Sequence, residues 1–142
     1  MVTFWVITIP LGFINTIYPR FLVAYLVSQA KLKLDFVNPR DQLGGSEVTD
    51  LDSNGYIRRS LAAHNNGWEA MNMWTAAVLT AAVRGVDLET INTVAAIWLV
   101  ARLLYNPAYI IATSTASSYF RSVLFIVTLL CGQYLLWSAF SE

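Results

Sequence analysis

Four apolar stretches alternate with polar segments along the chain, at roughly residues 3–27, 69–86, 90–111 and 120–140. A helix needs about 20 residues to cross a hydrocarbon core, so the pattern predicts four spans. The polar segments between them are unequal. "DFVNPRDQLGGSEVTDLDSN", residues 35–54, collects the Gly-Gly pair, a proline and most of the acidic residues, and predicts one long water-exposed loop. "RGVDLE" at 84–89 predicts a tight turn, and "TSTASS" at 113–118 a short polar connection. Tight connections between spans of this length predict an all-α, integral-membrane, antiparallel four-helix bundle, with residues 1–142 forming a single domain. The window 62–83, "AAHNNGWEAMNMWTAAVLTAAV", begins polar and ends as a span, with Glu69 at the junction.

Composition strengthens the membrane assignment. Of the 142 residues, 56% are hydrophobic and 13% charged, and the mean hydropathy of +0.52 is too high for an ordinary soluble domain. Formal net charge is zero, so nothing marks a nucleic-acid partner. One cysteine, Cys131, makes neither an internal disulfide nor a metal or redox framework, and is expected to be packed or lipid-facing. The first stretch lacks a basic leading region and a small-residue cleavage site, and reads as a retained first helix. No transit or retention signal is recognisable, which leaves endoplasmic reticulum, mitochondrial and bacterial inner membranes all compatible.

Basic residues orient the spans. Lys31, Lys33, Arg40, Arg58 and Arg59 flank or occupy the long loop, Arg121 lies at the third connection, and Arg84 lies opposite. The positive-inside rule then places the long loop and third connection on the cytoplasmic or equivalent side, with both termini facing away.

Charges at membrane depth carry the candidate chemistry. An ionisable side chain near the centre of a span costs about 2.5 to 3.5 kcal/mol on insertion scales and therefore faces the protein interior or a wet cavity. Glu69, Arg102 and Arg20 are such residues. Arg59, Asn66 and Glu69, at spacings of seven and three, share one helix face; Arg102, Tyr105 and Tyr109, at spacings of three and four, share another. The structural reading is that Glu69 pairs with Arg102 or Arg59 to fix helix packing, with the tyrosines as interfacial aromatics. The functional reading is a binding site. Arg59, Arg102, Lys31 and Arg121 invite carboxylates or phosphates, Glu69 an ammonium, and the tyrosines and asparagines neutral hydrogen bonds. A zwitterionic peptide with two carboxylates, such as glutathione, fits this inventory. His64 has no second histidine or cysteine nearby and is expected to cap or hydrogen-bond, not to ligate metal. Pro107 is expected to loosen its helix and free backbone groups, and Trp5 and Trp137 to form an interfacial belt. Ala76, Ala77, Ala81 and Ala82 would let helices approach closely. A transporter is disfavoured by the lack of a broken-helix repeat.

"RRSLAAHNNGWEA" before an apolar helix, then "ARLLYNPAY", then "RSV", with "SQAKLKLDFVNP" at the end of the first span, resembles the MAPEG family, the membrane-associated proteins in eicosanoid and glutathione metabolism, and in style its fungal and other microbial members. The resemblance covers nearly the whole chain. It implies a homotrimer of four-helix subunits holding glutathione as cosubstrate between neighbours, near the cytoplasmic side, with no metal. By position, it implies that Asn66 and Glu69 bind the amino end of glutathione, with Arg59 preceding them. Arg102 would support the glutamate, and Tyr105 and Tyr109 would touch the tripeptide. Lys31 would reach a carboxylate from the neighbouring subunit, and Arg121 would hold the sulfur as thiolate. The implied activity is a membrane-bound transferase or peroxidase acting on lipophilic electrophiles or lipid hydroperoxides that arrive from the bilayer. Two departures stand out: Ala62 occupies the place of an arginine in well-studied members, and Asn72 that of a proline in many. They keep open a second implication, a catalytically inactive subunit of a larger membrane assembly.

Overall fold

The computed structural model describes residues 3–33, 35, 37–38, 42 and 45–141. Arg40, Pro39 and Gly44, which the sequence reading places in the long loop, lie outside the described residues. Among those described there are five helices and no strand: α1 (Phe4–Gln29), α2 (Ser46–Leu51), α3 (Tyr56–Arg84), α4 (Leu88–Ile111) and α5 (Thr115–Phe140). The chain is an all-helical, multi-pass membrane protein. Helices α1, α4 and α5 are each long and apolar enough to cross a membrane.

The stretch predicted as the second span, 69–86, is not among these three. It belongs to α3, which starts 13 residues earlier than predicted. At 29 residues α3 is roughly 44 Å long, well beyond a hydrocarbon core of about 30 Å. Its first half carries Arg58, Arg59, His64 and Asn65 and so continues past the apolar layer. That is why one helix begins polar and ends apolar. Its start is fixed by Gly55, whose φ of +67° lies in the left-handed region, and by buried Asp52, whose carboxylate accepts the N–H groups of Ile57 at 2.7 Å and Arg58 at 3.0 Å. These bonds satisfy amides that a helix start leaves without partners. The buried positions of α3 (Ile57, Ser60, Ala63, Gly67, Met71 and Trp74, continuing to Ala81) recur every three or four residues. Such a stripe marks a helix packed by neighbours, and α3 contacts α1, α4 and α5.

Connections are shorter than the sequence suggests, because helices run into the predicted polar segments. Within 113–118 a capping box between Ser114 and Ser117 starts α5 at Thr115. At 84–89 the tight turn is present: Asp87 caps α4 by accepting the Thr90 N–H at 2.9 Å, and the Thr90 hydroxyl and N–H hold its carboxyl below the usual range. Inside the long loop, the described residues include the short α2.

Three hydrogen bonds between helix ends establish direction. The Trp5 N–H donates to Asn92 Oδ1, joining the starts of α1 and α4. Arg84 Nε donates to the Ala139 carbonyl, joining the ends of α3 and α5. Arg59 Nε donates to the Ile110 carbonyl, joining the start of α3 to the end of α4. The starts of α1 and α4 therefore lie at the end of the molecule where α3 and α5 finish, opposite the long loop. Cysteines introduced at exposed Ser46 and Ser141 should label from opposite sides of a sealed vesicle, with Cys131 silent because it is packed in the core. Labelling of both from one side would contradict this topology.

The core centres on Trp74 and Trp98, stacked at 4.6 Å with planes 11° apart; Trp74 Nε1 donates to Thr8 Oγ1 at 2.9 Å. Trp137 is exposed as a belt residue should be, whereas Trp5 is half-buried against this core. Ala77 and Ala81 are buried at helix contacts, and Ala76 is exposed. Helices α1 and α3 pack tightly at Gly67, where an added Cβ would meet Thr16 Cγ2 at 2.8 Å and its Cα at 3.1 Å. The second contact is with backbone and cannot rotate away. Gly67→Ala should therefore force the helices apart and lower stability by about 1 to 3 kcal/mol, readable as a lower unfolding temperature in detergent. An unchanged temperature would mean the contact is looser than described.

Candidate functional site

Helix α4 supplies most of the site. Residues at spacings of three and four stack on one helix face, and "RLLYNPAY" uses both: the Arg102 guanidinium lies 4.5 Å from the Tyr105 ring centroid, and the Tyr105 and Tyr109 rings are 5.6 Å apart. Arg121, one and a half turns into α5, closes the row with its guanidinium 4.2 Å from the Tyr109 ring. Arg102, Tyr105, Tyr109 and Arg121 thus form one continuous ladder, with a cation on an aromatic face at each end. The sequence reading placed these four in one site, and the fold brings them together.

Arg102 is the most unusual member. Only 2% of it is exposed, yet Nη1 and Nη2 have no hydrogen-bond partner. A buried cation without an acceptor is costly, so these two nitrogens mark a place where an anion or a water would be strongly favoured.

Helix α1 contributes two residues that the sequence reading did not single out as site candidates. Pro19 has no N–H, so the carbonyl four residues earlier, that of Asn15, loses its helical donor. Buried Asn106, on α4, donates its Nδ2 to that carbonyl. In return, Asn15 Nδ2 donates to the Arg102 carbonyl at 2.9 Å, beside the turn where Pro107 removes a donor from α4. Pro107 withholds its donor from the Leu103 carbonyl, yet α4 stays helical through it, and the α1 side chain bonds the carbonyl next to the one released. An asparagine in an apolar span with proline four residues later, as in "NTIYP", was the available signal.

Helix α3 brings the acidic component. Glu69 is exposed and lines a small cleft, with about 60 Å³ of free space, among α3, α4 and α5; its walls include Met73, Trp74, Trp98, Phe125 and Gly132. Glu69 makes no ion pair or hydrogen bond with Arg102 or Arg59, contrary to the packing role considered from sequence. Among the described residues the ion pair is Arg58 with Asp52. Arg59 is partly committed elsewhere: Nε donates to Ile110 O at 2.7 Å and Nη1 to Asn54 O at 2.9 Å. Asn66 donates to Ala62 O of its own helix at 3.3 Å.

His64 is structural. Nδ1 is 2.8 Å from the Thr16 carbonyl, which can only accept, so Nδ1 carries the proton; Nε2 then accepts from Trp68 Nε1 at 3.3 Å. Among the described residues no group of three or more His, Cys, Asp or Glu side chains is placed to hold a metal. Lys31 stands exposed at the end of α1, at φ +59°, and its ammonium has no hydrogen bond or ion pair among the described residues. Arg20 is half-buried on α1 and is likewise without one.

No curated protein and no solved structure matches this chain. A family model does: its match runs from residue 7 to residue 141, taking in most of α1 with its two prolines, the ladder of α4 and Arg121 of α5, and the chain belongs to the MAPEG family.

Proposed function

We propose that the chain is a membrane-bound, glutathione-dependent transferase or peroxidase acting on lipophilic electrophiles or lipid hydroperoxides, working as a trimer of four-helix subunits. The observation that carries the reading is the buried Arg102 guanidinium with two free donors at one end of an aromatic row whose other end is Arg121. Glutathione offers complementary groups: two carboxylates, an ammonium and a thiol. Arg102 is the natural carboxylate partner, and the exposed carboxylate of Glu69 suits the ammonium, with Asn66 one turn away on the same face. Half-buried Tyr109 offers its hydroxyl between these ends, with buried Tyr105 beside it. Arg59 has two donors committed, to the Ile110 and Asn54 carbonyls, and its Nη2 is the donor assigned to glutathione.

Glutathione supplies the nucleophilic sulfur. A guanidinium close to a thiol lowers its pKa by favouring the anion, which is the role assigned to Arg121. The thiol proton leaves to water, the sulfur electron pair forms the new bond to an electrophilic carbon, and the leaving group departs with its own pair. The small Glu69 cleft holds only part of a lipophilic second substrate, but its apolar walls favour the approach of such a molecule from the bilayer. Lys31, exposed just past the end of α1, is assigned to a glutathione carboxylate held by a neighbouring subunit of the trimer.

Purified protein in bilayer discs should conjugate glutathione to a lipophilic aryl halide, or consume a lipid hydroperoxide with oxidation of two glutathiones, and should have a trimer's mass by light scattering. A protein that binds no glutathione and co-purifies with other membrane subunits would instead be a structural component.

A further inference from the structure

We propose that Asn15 is a positioning residue for Arg102, acting through the α4 backbone; the inference rests on the reading of Arg102 as the carboxylate partner. The Arg102 side chain has no polar anchor at its tip: Nη1 and Nη2 are free of protein acceptors, and the guanidinium lies against the Tyr105 ring, one turn on along the same helix. Its depth and direction therefore follow from where the α4 backbone sits. That backbone passes through Pro107, which removes a donor and crowds the preceding turn. At this weakened point the Arg102 carbonyl receives the Asn15 amide, and the Asn15 carbonyl, released by Pro19, receives the Asn106 amide. Two prolines on two helices have each disturbed a backbone, and two asparagines make the disturbed segments hold one another. Asn15 is 5% exposed and Asn106 is fully buried, so water does not compete for these bonds. The reciprocal pair fixes α4 against α1 at the residue that carries the free guanidinium.

A role in packing alone is separable from this one. Thr8 and Trp74 also join α1 to another helix by a buried hydrogen bond, but two turns before Asn15 and with no bond to the α4 backbone. Thr8→Val is therefore the control for loss of an interhelical bond. Protein labelled with 15N-arginine would be compared as wild type, Asn15→Leu, Asn106→Leu and Thr8→Val, with Arg102→Lys identifying the Arg102 Nε signal by its disappearance. A guanidinium over an aromatic face has a ring-shifted Nε resonance. Asn15→Leu should move that resonance and weaken glutathione binding by about tenfold, with kcat at saturating glutathione preserved. Asn106→Leu should do the same to a smaller extent. Thr8→Val should lower the unfolding temperature and leave both the resonance and the affinity in place.

Asn15→Leu with an unmoved resonance, or Thr8→Val with the same shift and the same loss of affinity, would overturn the positioning role. If wild-type protein binds no glutathione, the functional reading fails by itself, and the resonance comparison still decides whether Asn15 places Arg102. If Asn15→Leu does not fold, Asn106→Leu carries the same comparison.

Discussion

Replacing Arg121 with alanine should lower kcat/KM for glutathione conjugation by about 100-fold, the range seen when one group stabilising a developing anion is removed, while glutathione affinity falls only modestly. Arg121 stands at the far end of the ladder from Arg102, its guanidinium against Tyr109 with no hydrogen bond to another described residue. Its positive charge is thus available to a ligand. Groups that bind substrate and transition state equally well set affinity, whereas a charge that favours the reactive anion sets the rate. Arg102, Glu69 and Asn66 belong to the first kind in this account and Arg121 to the second. Steady-state kinetics with an aryl halide would show the split, and Arg121→Lys, which keeps the charge without the planar fork, should recover part of the rate. Full turnover in Arg121→Ala would reduce Arg121 to an interfacial cation resting on an aromatic ring.

Arg102→Met should have two large and opposite effects. Leaving a buried donor unsatisfied costs about 1 to 3 kcal/mol, and more for a charge, whereas stacking on Tyr105 returns about 0.5 to 2 kcal/mol. The unpaired charge wins, so removing it with a side chain of similar bulk should raise the unfolding temperature of the ligand-free protein by roughly 2 to 5 °C. The same substitution should abolish glutathione binding. Stability gained where binding is lost is the signature of a charge kept for a ligand. Sequence alone suggested that Glu69 and Arg102 stabilise one another, which would make Glu69→Gln and Arg102→Met each destabilising and jointly less than additive. Since no ion pair joins them, the two substitutions should add. Differential scanning fluorimetry of the four proteins in the cycle separates these outcomes.

The sequence shows the apolar segments and the residues of the ladder for a common physical reason. Both depend on local spacing: a run of about 20 apolar residues for a span, and separations of three and four for Arg102, Tyr105 and Tyr109 on one face. What it does not show depends on contacts between helices. The early start of α3 is set by Asp52 folding back onto Ile57 and Arg58, a capping arrangement that a search for apolar runs passes over. The separation of Glu69 from Arg102 is a matter of how α3 rotates against α4, and both helix faces look equally able to meet when drawn as wheels. Arg59 appears as a ligand cation in sequence, but its reach to the Ile110 carbonyl is fixed only when α3 and α4 are antiparallel neighbours. Asn15 was the most nearly legible of the missed residues, since Pro19 four positions later names the carbonyl that must find another donor.

The proposed function requires that this protein bind glutathione and hold it as the thiolate. Equilibrium binding of glutathione to the purified protein, followed together with ultraviolet thiolate absorbance, tests it most directly. Wild type should bind saturably with a thiolate signal at neutral pH, Arg121→Ala should bind without that signal, and Arg102→Met should show neither. Wild-type protein that is folded and oligomeric yet shows no glutathione binding would contradict it.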